Sequence, residues 1–329
     1  MNHPWTNHAL VATLVLAIAL LVHKCSSKCA RPAKALEPFR MLWSLEGAAA
    51  SVRLGVPRAR ARVALAPAHD RHAHPSDGAI DCVWRARLEA TAATGGKLFD
   101  ASKFRLRRVR WADAARRDEL VLELGLTSYK EYVGTNQLPT AERRALEADG
   151  ARGRDGDHCA HLSCALGCEA VLLTADAQFV LLRRSGRVSS GAGLYNGPSG
   201  HPEPERARVV AHAADECGAR ALAERALDEL FESVRQEIHE ETNVPLSTLG
   251  EPRLIGAMCD DAHKPDVLFA VTTTLDAARV RAAFAHGAVE GWESDRLAFW
   301  PAARLTACAD ELPLTAVTRA ALYCFSLAR

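Results

Sequence analysis

The chain has 329 residues, of which 48% are hydrophobic, and its formal net charge is +1. A chain of this length forms one large domain or two modest ones, and its hydrophobic content is sufficient for a core. Because proteins that bind nucleic acid through its phosphates carry a basic excess, the balanced charge argues against nucleic acid as the main partner.

An uncharged apolar segment extends from residue 9 to residue 22. With about 14 residues it is short for a bilayer span and typical of a signal-peptide core or a short anchor. Lys24, Lys28 and Arg31 follow it and no Lys or Arg precedes it, a distribution that keeps the remainder of the chain in the cytoplasm. We therefore expect residues 1–40 to be a leader with membrane association through residues 9–22. The alternative is a mispredicted start or a poorly ordered leader.

Residues 41–150 predict a smaller α/β domain. They combine short alternating strand patterns with a helical stretch at residues 79–91, and the Gly- and Asp-rich segment at residues 149–156 is typical of a linker. The basic run at residues 103–111 alternates apolar and charged side chains, and the alternation slips by one residue before Val109. This pattern predicts a half-exposed strand with a bulge rather than a nucleic-acid site.

A hairpin, a loop and a helix follow in the second half of the chain. Two apolar runs between residues 171 and 184 flank a polar turn, and residues 196–205 are rich in Gly and Pro. Residues 207–228 form an Ala-, Arg- and Glu-rich insertion that we expect to be partly helical and broken at Gly218. A helix then ends near Val244, and the run at residues 314–327 has the spacing of a helix that covers a sheet.

Three carboxylates cluster near the end of the predicted helix. Glu237, Glu240 and Glu241 share one helix face at spacings i, i+3 and i+4. Clustered anions repel each other, and the helix macrodipole disfavours negative charge at this end, so a bound cation would stabilise them. Carboxylate oxygens suit Mg²⁺ or Mn²⁺. The alternative is a solvated acidic helix end.

The order of hairpin, loop and helix, together with these carboxylates, resembles a Nudix hydrolase. The signature of that superfamily is Gly, five residues, Glu, seven residues, then Arg-Glu-apolar-x-Glu-Glu-x-Gly-apolar. Gly200 and the segment 236–244 align with its two ends. The insertion interrupts the middle of the signature, and three positions depart from it: Arg206 replaces the first Glu, Gln236 replaces Arg, and Asn243 replaces Gly.

The physical consequences of two of these departures can be judged from the sequence. Asn243 tolerates the left-handed conformation that a helix C-cap needs, so this replacement is mild. The loss of the first Glu is more serious, because it removes a carboxylate from the expected metal site. Glu203 and Glu205 are nearby substitutes, and the sequence leaves open which of them reaches the metal.

Segments outside the signature are similar to the UDP-glucose/UDP-galactose pyrophosphatase branch of the Nudix superfamily. They lie at residues 65–71, 98–106, 124–136 and 200–204. That branch also has an interrupted signature with Gln before the first helix Glu. The resemblance covers roughly residues 60–325, and its most specific part is the block at residues 124–136.

The resemblance implies an α/β (α+β) protein, with a Nudix α/β/α sandwich and a mixed sheet at residues 159–329 after the smaller domain at residues 41–150. It implies an enzyme that uses Mg²⁺, or Mn²⁺, to hydrolyse the diphosphate of UDP-glucose or UDP-galactose to UMP and a hexose 1-phosphate. Glu237 and Glu241 would bind the metal. Glu240 would support it through the metal's water shell or act as general base, and the residues alone leave this choice open.

Candidate substrate-binding residues follow by position from the same resemblance. A flat uracil needs an aromatic partner, and Phe99 and Tyr129 fall in the family-like blocks of the N-terminal domain; core packing is the alternative for both. Arg184 would pair with a phosphate. Four further candidates line the loop that faces the helix: Ser189, Asn196, His201 and Glu203. Asn196 stands where the family pattern favours Asp, which would weaken or alter one contact to the substrate.

Two other functions stay open. The first keeps the fold and the metal but acts on another nucleoside diphosphate derivative, such as ADP-ribose or another nucleotide sugar; the retained N-terminal blocks argue against it. The second is a noncatalytic nucleotide-binding Nudix module, which Arg206 and Gln236 favour. The three intact helix carboxylates argue against this module, because a decayed site has no reason to keep mutually repelling charges.

Overall fold

The computed structural model describes residues 38–93, 95–153, 155–186, 191–289 and 294–328. The apolar segment at residues 9–22 and the predicted site residue Ser189 lie outside the described residues. Among the helices within these ranges, none is both long and apolar enough to cross a membrane.

A large mixed sheet forms the centre of the fold. Its main strands are Phe39–Ser44 (β1), Gly167–Leu173 (β6), Gln178–Arg184 (β7), Arg253–Asp260 (β10), Pro265–Thr272 (β11) and Ser294–Pro301 (β12). They follow the order β1-β10-β11-β6-β7-β12, in which β6 and β11 are parallel and the other neighbours are antiparallel. A short strand at Val56–Pro57 (β2) also pairs with β10. The mixed sheet expected from the sequence is confirmed.

The predicted hairpin at residues 171–184 opens into a fork. Strands β6 and β7 pair near their turn, where Leu173 lies opposite Phe179. Farther from the turn, two short strands lie between them: Tyr195–Asn196 (β8), which pairs with β7, and Ser199–Gly200 (β9), which pairs with β6. The Gly- and Pro-rich loop therefore lies between the two arms of the hairpin rather than beyond them.

A smaller sheet contains Ala61–Leu65 (β3), Ser102–Trp111 (β4) and Leu120–Ser128 (β5) in the order β3-β5-β4. The predicted bulge is confirmed, because the register of β4 against β5 shifts between Leu106 and Arg108. The predicted exposed face is wrong at Arg105, whose side chain is only 1% exposed. Its guanidinium donates to the carbonyl oxygens of Leu162, His69 and Cys159 at 3.1, 2.9 and 2.6 Å, so chain segments that the strand pattern does not reveal satisfy the buried charge.

The two sheets share one hydrophobic core, which includes Phe104 of β4 and Leu172 of β6. Strands β1 and β2, which fall in the predicted N-terminal domain, pair within the larger sheet. Separate domains at residues 41–150 and 159–329 therefore stay a prediction.

Seven α-helices are present in the described part of the chain, besides short 3-10 turns: Ile80–Ala93 (α1), Tyr129–Thr135 (α2), Thr140–Arg152 (α3), Glu216–Thr242 (α4), Ala277–Ala285 (α5), Leu305–Glu311 (α6) and Ala316–Leu327 (α7). Helices α4 and α7 pack on opposite faces of the larger sheet. Sγ of Cys168 lies 3.9 Å from Oγ of Ser233 on α4, whereas the next residue of β6, Glu169, lies beside Thr318 of α7. Successive strand residues point to opposite faces, which gives the α/β/α layering.

Helix α4 is longer than the sequence predicts. The break expected at Gly218 is wrong, because Asp215 caps the helix by accepting a hydrogen bond from Gly218 N at 2.7 Å. Gly218 thus lies in the first turn, where glycine is less costly than in a helix interior. The part of the insertion before Asp215 is not helical.

Candidate active site

The C-terminal end of α4 carries the three predicted carboxylates. Leu230, Val234 and Ile238 are fully buried and fix this helix against the larger sheet. The helix ends at Asn243, which adopts the left-handed conformation with φ of 58° and so confirms the predicted cap. Glu237 and Glu241 therefore lie one turn apart beside the fork of the hairpin.

Gly200 is the point at which the fork meets Glu237. A β-carbon at Gly200 would overlap with the carboxylate of Glu237, so the absence of a side chain at Gly200 allows this carboxylate its present position. The neighbouring residue, Ser199, donates a backbone N–H to Oε2 of Glu241 at 3.3 Å, and the Glu241 side chain is only 3% exposed. Strand β9 thus contacts both of the carboxylates that are predicted to hold the metal.

Glu240 lies on the same helix face and is held by two neighbours. Its Oε1 accepts a hydrogen bond from Nε2 of Gln236 at 2.9 Å and lies 3.7 Å from Nη2 of Arg206. One oxygen of Glu240 is therefore already engaged with two donor groups. This arrangement favours a supporting role for Glu240 over direct metal binding.

The carboxylates fit a magnesium site of the kind that the substrate completes. No group of three or more Asp, Glu, His or Cys side chains converges on one point in the described ranges. Mg²⁺, however, usually keeps several waters and is bound by one or two carboxylates together with substrate phosphates. Glu237 and Glu241, which contact Gly200 and Ser199, are the two carboxylates predicted for this role.

Positive charge collects at the same end of the larger sheet, on the face away from α4. Nζ of Lys264 lies 2.7 Å from Oδ1 of Asp266, and both side chains cover Gly167, which has no room for a side chain of its own. Burial alone lowers the pKa of Lys264, but Asp266 and Tyr132 outweigh it and raise this pKa. Lys264 therefore stays charged, and its 22% exposed side chain is accessible to a ligand.

The N-terminal part of the chain holds the turn that presents Lys264. Oδ1 of Asp260 accepts hydrogen bonds from the backbone N–H groups of Ala262 and Lys264 at 2.9 and 2.8 Å. Nδ2 of Asn136 donates to the carbonyl oxygen of Ala262 at 2.8 Å, and Asn136 is fully buried. The family-like block at residues 124–136 thus fixes a turn of the larger sheet through its last residue.

His201 and Glu203 follow Gly200 and belong to the same cluster of charges. Burial, with the ammonium groups of Lys264 and Lys103, holds the pKa of His201 well below its usual range, so its imidazole is neutral at neutral pH. Oε1 of Glu203 lies 3.1 Å from Nζ of Lys103, and its Oε2 lies 3.7 Å from Nε of Arg206. Glu203, considered above as a substitute for the missing Glu, is thus paired with two cations.

The two aromatic candidates are in different surroundings. The ring of Tyr129 contacts those of Trp84 and Tyr132, with centroids 6.0 and 6.1 Å apart. Phe99 is 73% exposed, which excludes core packing for this residue. No ring contact joins Phe99 to Tyr129 within the described ranges, so stacking of a base between the two would require them to move together.

Asn196 and Arg184 lie in the fork with a carboxylate that the sequence analysis missed. Glu169 is 1% exposed, and among the described residues neither of its carboxyl oxygens makes a hydrogen bond of normal geometry, although the Thr318 hydroxyl and the backbone of Gly197 lie nearby. Burial raises the pKa of Glu169 to about 8, although the Thr318 hydroxyl and the charge of Arg184 lie near enough to lower it. Asn196 is also buried and donates from Nδ2 to Oγ of Ser199 at 3.0 Å. The sequence carries one signal for this residue, because Glu169 is the single charged residue in an otherwise apolar strand.

No family model matches the chain. The uridine diphosphate glucose pyrophosphatase NUDT22 of Mus musculus is 37% identical over 250 residues, which cover 74% of this chain and 77% of the mouse protein. The chain belongs to the Nudix hydrolases, in the uridine diphosphate glucose pyrophosphatase branch.

Two further similarities are more distant. Nudix hydrolase 9 of Arabidopsis thaliana is 31% identical over 211 residues, covering 61% of this chain and 65% of the plant protein. The Nudix domain of Shewanella oneidensis NrtR, solved with ADP ribose, covers 48% of this chain and 84% of its own at 18% identity, with a TM-score of 0.30. The similarity to the mouse protein confirms the Nudix recognition made from the degenerate signature.

Proposed function

We propose that this protein hydrolyses the diphosphate of UDP-glucose or UDP-galactose to UMP and a hexose 1-phosphate, with Mg²⁺ as its preferred cation and Mn²⁺ as a substitute. The observation that carries the proposal is the placement of Glu237 and Glu241 against Gly200 and Ser199. Membership of a branch whose mouse member is named uridine diphosphate glucose pyrophosphatase supports the choice of substrate.

The chemical difficulty is that two adjacent phosphates repel an approaching nucleophile. Glu237 and Glu241 would hold the divalent cation, which would supply charge neutralisation at the diphosphate and activation of the attacking water. The protein would orient the two carboxylates. The backbone N–H of Ser199 donates to Glu241, and Gly200 leaves the space that the Glu237 carboxylate occupies. Glu240, already engaged by Gln236 and Arg206, acts in support of the site.

The remaining negative charge of the diphosphate would be neutralised by two lysine side chains near His201. Lys264 and Lys103 both lie close to His201, and His201 follows Gly200 directly. The ammonium groups of Lys264 and Lys103 would therefore add positive charge near the strand that contacts Glu237 and Glu241. Neutral His201 donates or accepts a hydrogen bond without adding charge.

The nucleotide would be recognised by the N-terminal residues and by the fork. Tyr129, whose ring contacts those of Trp84 and Tyr132, would supply an aromatic face for the uracil. Phe99, which is 73% exposed, would move towards Tyr129 to reach the other face of the base. Arg184 would pair with a phosphate. Asn196 in the fork and Glu203 would contact the remaining polar groups of the substrate, and Ser189 stays a candidate by its position in the sequence alone.

The test is turnover of UDP-glucose by the full chain in the presence of Mg²⁺, with release of UMP as the readout and ADP-ribose as a competing substrate. We expect UMP release that depends on Mg²⁺ and is lost in Glu237→Gln. If ADP-ribose is hydrolysed and UDP-glucose is not, the Nudix site is right and the proposed substrate is wrong. If neither reacts, the chain is a noncatalytic nucleotide-binding module, as Arg206 and Gln236 would favour.

A further inference from the structure

Two departures from the Nudix signature meet at one carboxylate. Arg206 stands in the place of the first Glu, and Gln236 in the place of Arg. They are 30 positions apart in the numbering, yet both contact Oε1 of Glu240, Gln236 through a 2.9 Å hydrogen bond and Arg206 through a 3.7 Å ion pair. Neither replacement is therefore independent of the other.

The geometry of a helix explains why they are linked. Position 236 is one turn before Glu240, so an Arg there would lie next to this carboxylate and pair with it. Gln236 keeps the hydrogen bond but has no charge. The positive charge comes instead from Arg206, which approaches the same oxygen from the loop that follows β9.

Arg206 lies among carboxylates of its own loop and of helix α4. Its Nε lies 3.7 Å from Oε2 of Glu203, and its charge acts on Glu229, whose pKa burial raises and Arg206 lowers. A cavity of about 220 Å³ is lined by Arg206, Glu229, Glu232, Ser233 and Gln236. A Glu at position 206, as in the signature, would bring another anion into this group of carboxylates.

From these contacts we infer that Arg206 is a positioning residue for Glu240, and that it transfers to the loop the positive charge that the signature places on the helix at position 236. The inference rests on the proposed function for its kinetic readout. It explains why an intact set of helix carboxylates persists beside a signature with two changed charges. Arg206 is 44% exposed, so its contribution to folding stability is small and its effect falls mainly on activity.

The cavity beside Gln236 allows a test of whether the positive charge can be moved from position 206 to position 236. Because open space of about 220 Å³ borders Gln236 and is lined by Glu229 and Glu232, a longer cationic side chain at position 236 has room and acidic neighbours. The double variant Arg206→Glu with Gln236→Arg therefore restores the signature pattern in the same place.

The experiment measures kcat and KM for UDP-glucose, or for ADP-ribose if the wild type prefers it, in full-length variants. We expect Arg206→Gln to lower kcat about 10- to 100-fold with little change in KM, Arg206→Lys to retain most activity, and Arg206→Glu to be worse than Arg206→Gln. Adding Gln236→Arg to Arg206→Glu should recover at least tenfold. Arg208→Gln, two residues along the same loop, is the matched control and should behave as wild type.

Binding of Mn²⁺, followed by electron paramagnetic resonance without substrate, separates positioning from simple disruption of the loop. Removal of a nearby positive charge leaves Mn²⁺ affinity equal or tighter, so Arg206→Gln should bind Mn²⁺ at least as well as wild type while its kcat falls. Weaker Mn²⁺ binding in Arg206→Gln would overturn the inference, and this result stands whatever substrate the wild type accepts. So would a double variant no more active than Arg206→Glu. A wild type without activity on either substrate refutes the proposed function instead.

Discussion

Replacement of Glu169 by Gln should make the protein more stable at alkaline pH. Glu169 is 1% exposed, and among the described residues neither of its oxygens makes a hydrogen bond of normal geometry. Burial raises its pKa from an ordinary value of 4.5 to about 8, even though the nearby Thr318 hydroxyl and Gly197 backbone act to lower it. Such a carboxyl is protonated in the folded protein and ionised in the unfolded chain over the intervening pH range.

The sign and the magnitude follow from this difference. Because the folded state holds the proton more tightly, the stabilisation from Glu169 is fully present below about pH 4.5 and is lost as the pH rises through about 8. At about 1.4 kcal/mol for each tenfold change in acidity, the whole loss is at most on the order of 5 kcal/mol. Gln has nearly the same shape and does not ionise, so the variant should not show this loss.

The assay is urea unfolding of wild type, Glu169→Gln and Glu89→Gln at pH 5.0, 6.5 and 8.5, with Glu89 as an exposed control. We expect the free energies of unfolding of wild type and Glu169→Gln to agree within about 1 kcal/mol at pH 5, and the variant to be more stable by about 2 to 5 kcal/mol at pH 8.5. Equal pH slopes in wild type and Glu169→Gln would refute the argument that Glu169 is buried as a neutral acid.

Three further variants test the site and its support. Gly200→Ala places a methyl group where the Glu237 carboxylate lies, and we expect Mn²⁺ affinity and kcat/KM to fall more than about tenfold. Lys264→Met should raise KM for UDP-glucose about 10- to 100-fold with kcat nearly unchanged, whereas Lys264→Arg, which keeps a positive charge at this position, should not. Asn136→Ala removes fully buried hydrogen bonds to the carbonyl oxygen of Ala262 and from the N–H of Cys164. It should lower the free energy of unfolding by roughly 3 kcal/mol in a urea titration.

Local patterns predicted the local elements well. The hairpin, the loop, the helix with its carboxylates and the bulge in β4 each follow from periodicity and from turn residues within a short window. The left-handed cap at Asn243 was also accessible, because few residues tolerate that conformation.

Long-range relations were not accessible in this way. Arg105 appears exposed in a strand pattern, and only the tertiary structure brings the carbonyl oxygens of distant segments to its guanidinium. Lys264 lies in a short polar turn with no motif around it. This turn is held by Asn136, which is distant in sequence and donates to the carbonyl oxygen of Ala262. The link between Arg206 and Gln236 likewise requires knowledge of which side chains meet at Glu240.

The most direct test of the central claim is to measure Mn²⁺ binding and UDP-glucose hydrolysis on the same samples of wild type, Glu237→Gln and Glu241→Gln. If these carboxylates hold the catalytic cation, both variants will bind Mn²⁺ at least tenfold more weakly and will lose UMP release in parallel. Wild-type Mn²⁺ affinity in the inactive variants, or undiminished hydrolysis without either carboxylate, would show that the cation is held elsewhere.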